Sequence, residues 1–273
     1  MTLSPTLVTK IEAEEPIRRL AVLIDADNAQ ASVIEGLLAE VARFGEATVK
    51  RIYGDFTSPT SAQWKQVLNT FAIKPVQQFA YTTGKNATDS MLIIDAMDLL
   101  YTRRFDGFCL VSSDSDFTGL ALRIREEGLV VYGFGEQKTP EAFRNACHKF
   151  LFTEVLKRIE PPANTEPFVA DKQAPAKPRP VPATVPQTQP PSSQPKFPSK
   201  FFRQALEQAS DENGWAHLGK FGSYLTKLRP DFDPRNFGYK KLSDLVKART
   251  ELFVTEERHT NNADVKALYV RAK

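Results

Sequence analysis

From Arg19 onward the chain alternates between two hydrophobic rhythms. "RLAVLIDAD" (19–27) is a continuous apolar run that ends in carboxylates, as a strand covered on both faces does. "QASVIEGLLAEVARF" (30–44) then carries Val33, Ile34, Leu37, Leu38 and Val41 at helical spacing. The same alternation continues: strands are expected at 47–56, 74–82, 106–114 and 129–135. Helices are expected at 61–72, 89–104, 117–128 and 139–152, the third of them stopped by Gly128. Strands alternating with helices of this length predict a parallel sheet with helices on both faces. In such a sheet the strand C-termini share one edge, and ligands collect there at the point where strand order reverses.

A second rhythm occupies the C-terminal end. "KFFRQALEQAS" reads as a helix, and Leu218, Phe221, Leu225 and Leu228 mark another. "PRNFGYKKLSDLVKART" is a third, placed behind a Phe-Gly-Tyr turn. "ELFVTEER" and "KALYVRAK" alternate like two strands of a wing. Three short helices followed by a hairpin predict a winged helix-turn-helix.

Between the two lies a stretch with neither rhythm. Residues 159–198 hold 12 of the 19 prolines and no glycine. So little apolar side chain cannot offset the chain entropy of ordering, and a flexible, partly polyproline linker is expected. The expected division is a tail (1–17), an α/β domain (18–158), the linker (159–198) and the winged-helix domain (199–273). Charge follows the same division: Met1–Arg158 carries 18 basic and 20 acidic residues, whereas Ser199–Lys273 carries 14 and 10. The overall net charge of +3 is too small to imply a polyanionic partner by itself.

Composition removes several classes. No window approaches 18 uninterrupted apolar residues, so no membrane span is expected, and the polar N-terminus has no signal-peptide core. The two cysteines, Cys109 and Cys147, have no CxxC neighbour, which argues against a zinc site and fits a reducing, cytoplasmic setting. There is no Gly-rich phosphate loop, and His148, His217 and His259 lack nucleophile partners.

The positive chemical signal is acidic. Asp25-Ala-Asp27-Asn28 ends the first strand and Asp114-Ser-Asp116 ends the fourth, on the same sheet edge. Asp89 opens the helix after "TTGKNAT", a loop that also leaves that edge. Each has an ordinary explanation: Asp27 and Asn28 as caps of the first helix, Asp89 and Asp116 as caps, Asp114 and Asp55 in turns. Taken together, Asp25, Asp89 and Asp114 are read as ligands of Mg²⁺ or Mn²⁺, which suits metal-assisted hydrolysis of a phosphate ester. Asp95, about 120° further round its helix from Asp89, is read as a supporting or salt-bridged residue. Lys85 either touches substrate phosphate or is a solvated loop lysine.

"VLIDADN", "GKNATDSMLIIDAMDLL" and "FCLVSSDSDFTGLALRIREEGLVVYGFG" resemble the NYN domain, of PIN-like nuclease fold, over about residues 18–155. The resemblance implies a Mg²⁺-dependent ribonuclease fold with acidic ligands at Asp25, Asp89, Asp114 and Asp116 and a polar partner at Asn28. "GWAHLGKFGSYLTKLRPDFDPRNFGYKKLSDLV" resembles the LOTUS or OST-HTH domain, which implies RNA binding and, in some members, a protein partner. Lys240, Lys241 and Lys247 are the candidate phosphate contacts there. Three readings follow: a metal-dependent ribonuclease whose second domain recruits RNA, a non-catalytic RNA-binding adaptor, and a D-x-D phosphatase with Asp25 as nucleophile. The phosphatase lacks the further acidic loop expected of that class.

The linker makes the first prediction. Forty residues without a core span about 35 Å as a flexible coil, so limited proteolysis is expected to cut within about 162–196 before either domain. Fragments cut first inside 18–158 or 199–273 would contradict it.

Overall fold

The computed structural model describes residues 17–57, 62–79, 87–156, 198–259 and 266–273. The expected linker, apart from Pro198, and Lys85 lie outside the described residues. The described residues form two compact units, one mainly up to residue 156 and the other mainly from residue 198.

The first unit is a six-stranded sheet, all parallel, flanked by helices. Its strands are β1 (Arg19–Asp25), β2 (Glu46–Gly54), β3 (Lys74–Gln77), β4 (Gly107–Val111), β5 (Val130–Gly135) and β6 (Lys149–Phe152). Its helices are α1 (Ile34–Ala42), α2 (Ala62–Phe71), α3 (Ala87–Tyr101), α4 (Thr118–Glu126) and α5 (Glu141–Ala146). The spatial order is β3-β2-β1-β4-β5-β6, so the order reverses between β1 and β4. The strand that ends in Asp25 and the strand followed by Asp114 are therefore neighbours at the switch point.

β1 reads as an unbroken apolar run because both of its faces are covered. Ala21 and Leu23 pack with Leu92, Ala96, Leu120 and Phe143 in one layer. Leu20, Val22 and Ile24 pack with Ile34, Leu37, Val41 and Trp64 in the other. The alternation of side chains along a strand divides the run between the two layers. Cys109 sits in β4 with no exposure and Cys147 is equally buried, so both thiols are core side chains. Burial raises the pKa of both, that of Cys147 to about 12.

Residues 139–152, expected to be one helix, break into α5 and β6. The chain turns extended at Cys147, and Phe150, Leu151 and Phe152 enter the sheet as a buried sixth strand beside β5. A sheet edge needing a partner for Tyr132–Gly135 overrode the helical spacing. Gly133 makes the pairing feasible: a Cβ there would meet the Phe150 ring at 2.4 Å and Cys147 Sγ at 2.6 Å.

The second unit contains α6 (Ser199–Ala209), β7 (Trp215–His217), α7 (Leu218–Leu228), α8 (Leu242–Ala248), β8 (Phe253–His259) and β9 (Lys266–Ala272). Phe202, Phe221 and Phe253 meet ring to ring in its core, and Phe237 adds an edge contact to Phe202. Gly238 holds a left-handed φ of 83° in the turn before α8, where only glycine is unstrained. Trp215–His217, just ahead of the helical spacing that begins at Leu218, form a strand. β7 pairs antiparallel with β9, making a sheet of order β7-β9-β8. Among the described residues no helix is long and apolar enough to cross a membrane.

Gly133→Ala is expected to cost about 1–3 kcal/mol, as overpacking in a close-packed core does, because Phe150 and Cys147 cannot both move aside. Urea denaturation checks it; an unchanged midpoint would mean that β6 is loosely held.

Candidate metal centre and the lysines of the second unit

The site is assembled at the reversal between β1 and β4. Asp25, the last residue of β1, is fully buried. Its Oδ2 accepts from Ser112 Oγ at 2.7 Å and Asn28 Nδ2 at 2.8 Å, and its Oδ1 accepts from the Asp27 amide at 3.0 Å. Ser112 Oγ also accepts from the Asp114 amide at 3.1 Å. One hydroxyl thus joins the end of β1 to the turn after β4. Ser113 performs the matching task on the other side, its Oγ accepting from the Glu136 amide just past β5 at 2.9 Å. The two serines of "SSDSD" pin the end of β4 to both neighbouring strands. Ser112 was not among the residues expected from the sequence; its place directly behind the apolar run of β4 is the available signal.

Asp27 and Asn28 do not cap the first helix. That helix begins with a 3₁₀ turn at Ala31–Val33 whose N-cap is Gln30, without a side-chain cap. Asn28 is drawn instead to the Asp25 carboxylate, where a buried acceptor rewards it more than an exposed helix end does. Asp114 does cap: it precedes the 3₁₀ turn Ser115–Phe117 and accepts from the Asp116 amide at 2.9 Å. Asp89 lies in the first turn of α3, not at its cap.

Asp89, Asp114 and Asp116 each offer a carboxylate oxygen, and the three oxygens lie within 4.8 Å of one another. Asp89 and Asp114 are half-buried and Asp116 is exposed. Asp25 is not in this trio, but its charge is the nearest in effect on Asp89. Burial, and then the charges of Asp25, Asp114, Asp116 and Asp27, push the Asp89 carboxyl up to about 6. Burial also raises the Asp25 carboxyl, against the hydrogen bonds from Ser112, Asn28 and the Asp27 amide. Hard oxygen donors crowded to this degree, with one exposed, fit a small divalent cation.

The neighbouring carboxylates separate cleanly from this group. Buried Asp95 is held by Arg51 and by the Tyr53 hydroxyl from β2. It therefore anchors α3 to the sheet, the supporting role expected of it. Burial, and then the hydrogen bond to Asp95, keep the Tyr53 hydroxyl protonated. Asp55 accepts from the Thr57 amide, the Thr57 hydroxyl and Gln77 Nε2 in a turn. His148 accepts from the Val131 amide at 3.0 Å, a structural bond away from the acidic group.

In the second unit Lys240 and Lys241 are exposed, with Lys241 at the N-cap of α8. Lys247 is already paired with Glu257 at 2.9 Å.

The NYN domain family model matches residues 19–156. The chain belongs to the NYN domain family. Residues 193–263 match the OST-HTH/LOTUS domain, so the NYN unit is followed by a second recognised module. Similar solved structures include an uncharacterized protein of Nitrosomonas europaea, determined by solution NMR (56% identity over 38% of this chain and 92% of that one, TM-score 0.29). Others are a protein of unknown function from Vibrio parahaemolyticus (18% identity, 50% and 93%, TM-score 0.43) and part of a Chromobacterium violaceum protein (33% identity, 30% and 86%, TM-score 0.24). No curated protein matches the chain.

The NYN carboxylates make a pH prediction. A carboxyl raised from 3.8 to about 6 holds its proton more tightly folded than unfolded. Its contribution is full below 3.8 and is lost as pH rises towards 6, so the metal-free domain loses stability across that window. Carboxyl-carbon NMR is expected to find Asp89 titrating near 6 in EDTA and at lower pH in Asp114→Asn, which removes one of the opposing charges. An Asp89 titration unmoved by that substitution would show that the two carboxylates do not interact.

Proposed function

We propose that the protein is a divalent-metal-dependent ribonuclease whose OST-HTH/LOTUS domain recruits RNA. The observation that carries this reading is the trio Asp89, Asp114 and Asp116 gathered beside buried Asp25 at the switch point of an NYN sheet. Asp25, Asp89, Asp114 and Asp116 hold Mg²⁺ or Mn²⁺, with the trio as its principal seat. A cation bound there supplies positive charge that polarises a phosphoryl oxygen and acidifies a water.

The chain's own residues do the rest. Ser112 and Asn28 hold the Asp25 carboxylate in one orientation, so its charge is fixed before substrate arrives. Asp114 sets the turn that presents Asp116 at the exposed side of the group. Asp89, with its carboxyl near 6, is suited to hold or release a proton at neutral pH when no cation neutralises its neighbours. Lys85, two residues before α3 in the sequence, contacts substrate phosphate. Lys240 and Lys241, with Lys247, neutralise RNA phosphates in the basic domain and offset the acidic balance of the NYN half.

Labelled single-stranded RNA incubated with Mn²⁺ or with EDTA tests the reading. Cleavage is expected with Mn²⁺ alone. Asp114→Asn is expected to reduce it more than about 100-fold, since even residues behind metal ligands cost 10–100-fold. The fold should survive, because asparagine keeps the oxygen that accepts from the Asp116 amide. RNA that binds tightly and stays intact with Mn²⁺ would favour the adaptor. Lys240→Ala with Lys241→Ala is expected to flatten the salt dependence of binding by about 1.4, two phosphates at about 0.7 each on a single strand. An unchanged slope would show those lysines to be merely solvated.

A further inference from the structure

The sheet of the second unit has an outer face unlike its inner one. Residues paired directly across antiparallel strands share a face. Phe253 pairs with Ala272, and Thr255 and Ala216 pair with Val270; this inner face meets the helices through Phe202 and Phe221. On the outer face Trp215 pairs with Arg271, His217 with Tyr269, Tyr269 with Glu256, and Arg258 with Ala267.

The side chains there form a ladder of rings and guanidiniums. Arg258 lies 4.8 Å from the Trp215 ring centroid and 4.6 Å from that of Tyr269, and Arg271 lies 4.9 Å from Trp215. His217 meets Tyr269 edge to face at 5.5 Å. Trp215 and Tyr269 are half-exposed, and His217 and Arg271 are exposed. Among the described residues no group hydrogen-bonds the Trp215 indole N–H or the Tyr269 hydroxyl, and Arg271 forms no salt bridge within 4 Å, although its charge reaches Glu256. Glu256 is held by Arg258 through both Nε and Nη2 at 3.1 Å, and Asp211 adds a further negative charge near Arg258.

We infer that this outer face is a base-stacking site for single-stranded RNA, with Trp215 and Tyr269 as the platform and Arg258 and Arg271 serving both stacking and phosphate contact. Half-exposed rings beside guanidinium planes are the chemistry that holds unpaired bases. A duplex keeps its base faces hidden and offers them nothing. Lys247 reaches Glu257, an inner-face residue of β8, whereas Arg258 is on the outer face. The stacking face and Lys247 of α8 therefore lie on opposite sides of the sheet. The inference rests on the reading of the protein as one that acts on RNA.

The test uses the full chain in EDTA with an unstructured fluorescent oligoribonucleotide of about 12 nucleotides, within the range such sites cover. Anisotropy gives Kd, and intrinsic tryptophan emission with unlabelled RNA reports stacking. The chain has two tryptophans, and Trp64 is buried, so Trp215 is the reporter. Quenching on RNA addition is expected, and Trp215→Phe should abolish the quench while keeping Kd within about threefold. Tyr269→Ala with Arg271→Ala should weaken binding about tenfold or more. Exposed Arg271→Lys alone should weaken it with the salt slope intact, because charge remains and the guanidinium plane is lost. Unchanged Kd and no quench, with binding lost instead in Lys240→Ala/Lys241→Ala, would overturn the stacking face and leave the RNA reading standing. A wild-type chain that binds no RNA at low salt would overturn both and assign the face to a protein partner.

Discussion

Like charges do not gather without compensation, and the NYN unit is organised around that constraint. The end of β1 delivers Asp25 into a fully buried position, and the turn after β4 brings Asp114 and Asp116 alongside. Parallel pairing of β1 with β4 leaves little choice, because both strands end on one edge. The protein answers with hydrogen bonds to the deepest carboxylate: three reach Asp25, and the one from Ser112 comes from a hydroxyl that also holds the Asp114 amide. Asp89, half-buried and ringed by negative charge, receives no such hydrogen bond among the described residues, and its carboxyl holds its proton up to about pH 6. On the proposed reading a divalent cation supplies the remaining compensation.

The rest of the unit serves this placement. The two core layers cover β1 on both sides, which fixes its height in the sheet and hence the position of Asp25. Asp95 ties α3 to Arg51 and Tyr53 of β2, and Tyr53 pairs directly with Asp25 across the β1–β2 ladder. The helix that carries Asp89 is thus locked to the strand beside the one that carries Asp25. The OST-HTH/LOTUS unit is built on a different economy, a small aromatic core of Phe202, Phe221 and Phe253 with arginine and aromatic side chains left on the outer face of its sheet.

Much of this was legible along the chain because the signals were local. Apolar runs that end abruptly in aspartate marked β1 and β4, and helical spacing marked α1 and α3 with little error in their bounds. What escaped depended on partners distant in sequence. Residues 149–152 look helical in isolation and become a strand because β5 offers an edge to pair with, and 215–217 are too short a run to signal the strand that pairs with β9. Asn28 looks like a cap until the buried Asp25 oxygen competes for its amide. Ser112 is silent in the sequence, since a serine at a strand end ordinarily means only a turn; its partner lies 87 residues away.

The central claim is that the acidic group is held together by a cation. Thermal unfolding of the full chain at pH 7 with Mn²⁺ against EDTA addresses it directly, for wild type and for Asp89→Asn. Mn²⁺ at about 100 times its Kd stabilises a fold by about 2.7 kcal/mol, so the wild-type NYN transition should rise with Mn²⁺ concentration. Asp89→Asn should be the more stable protein in EDTA, relieved of one crowded charge, and should gain little from the metal. A wild-type transition indifferent to Mn²⁺, or an Asp89→Asn protein that responds as fully as wild type, would contradict the account.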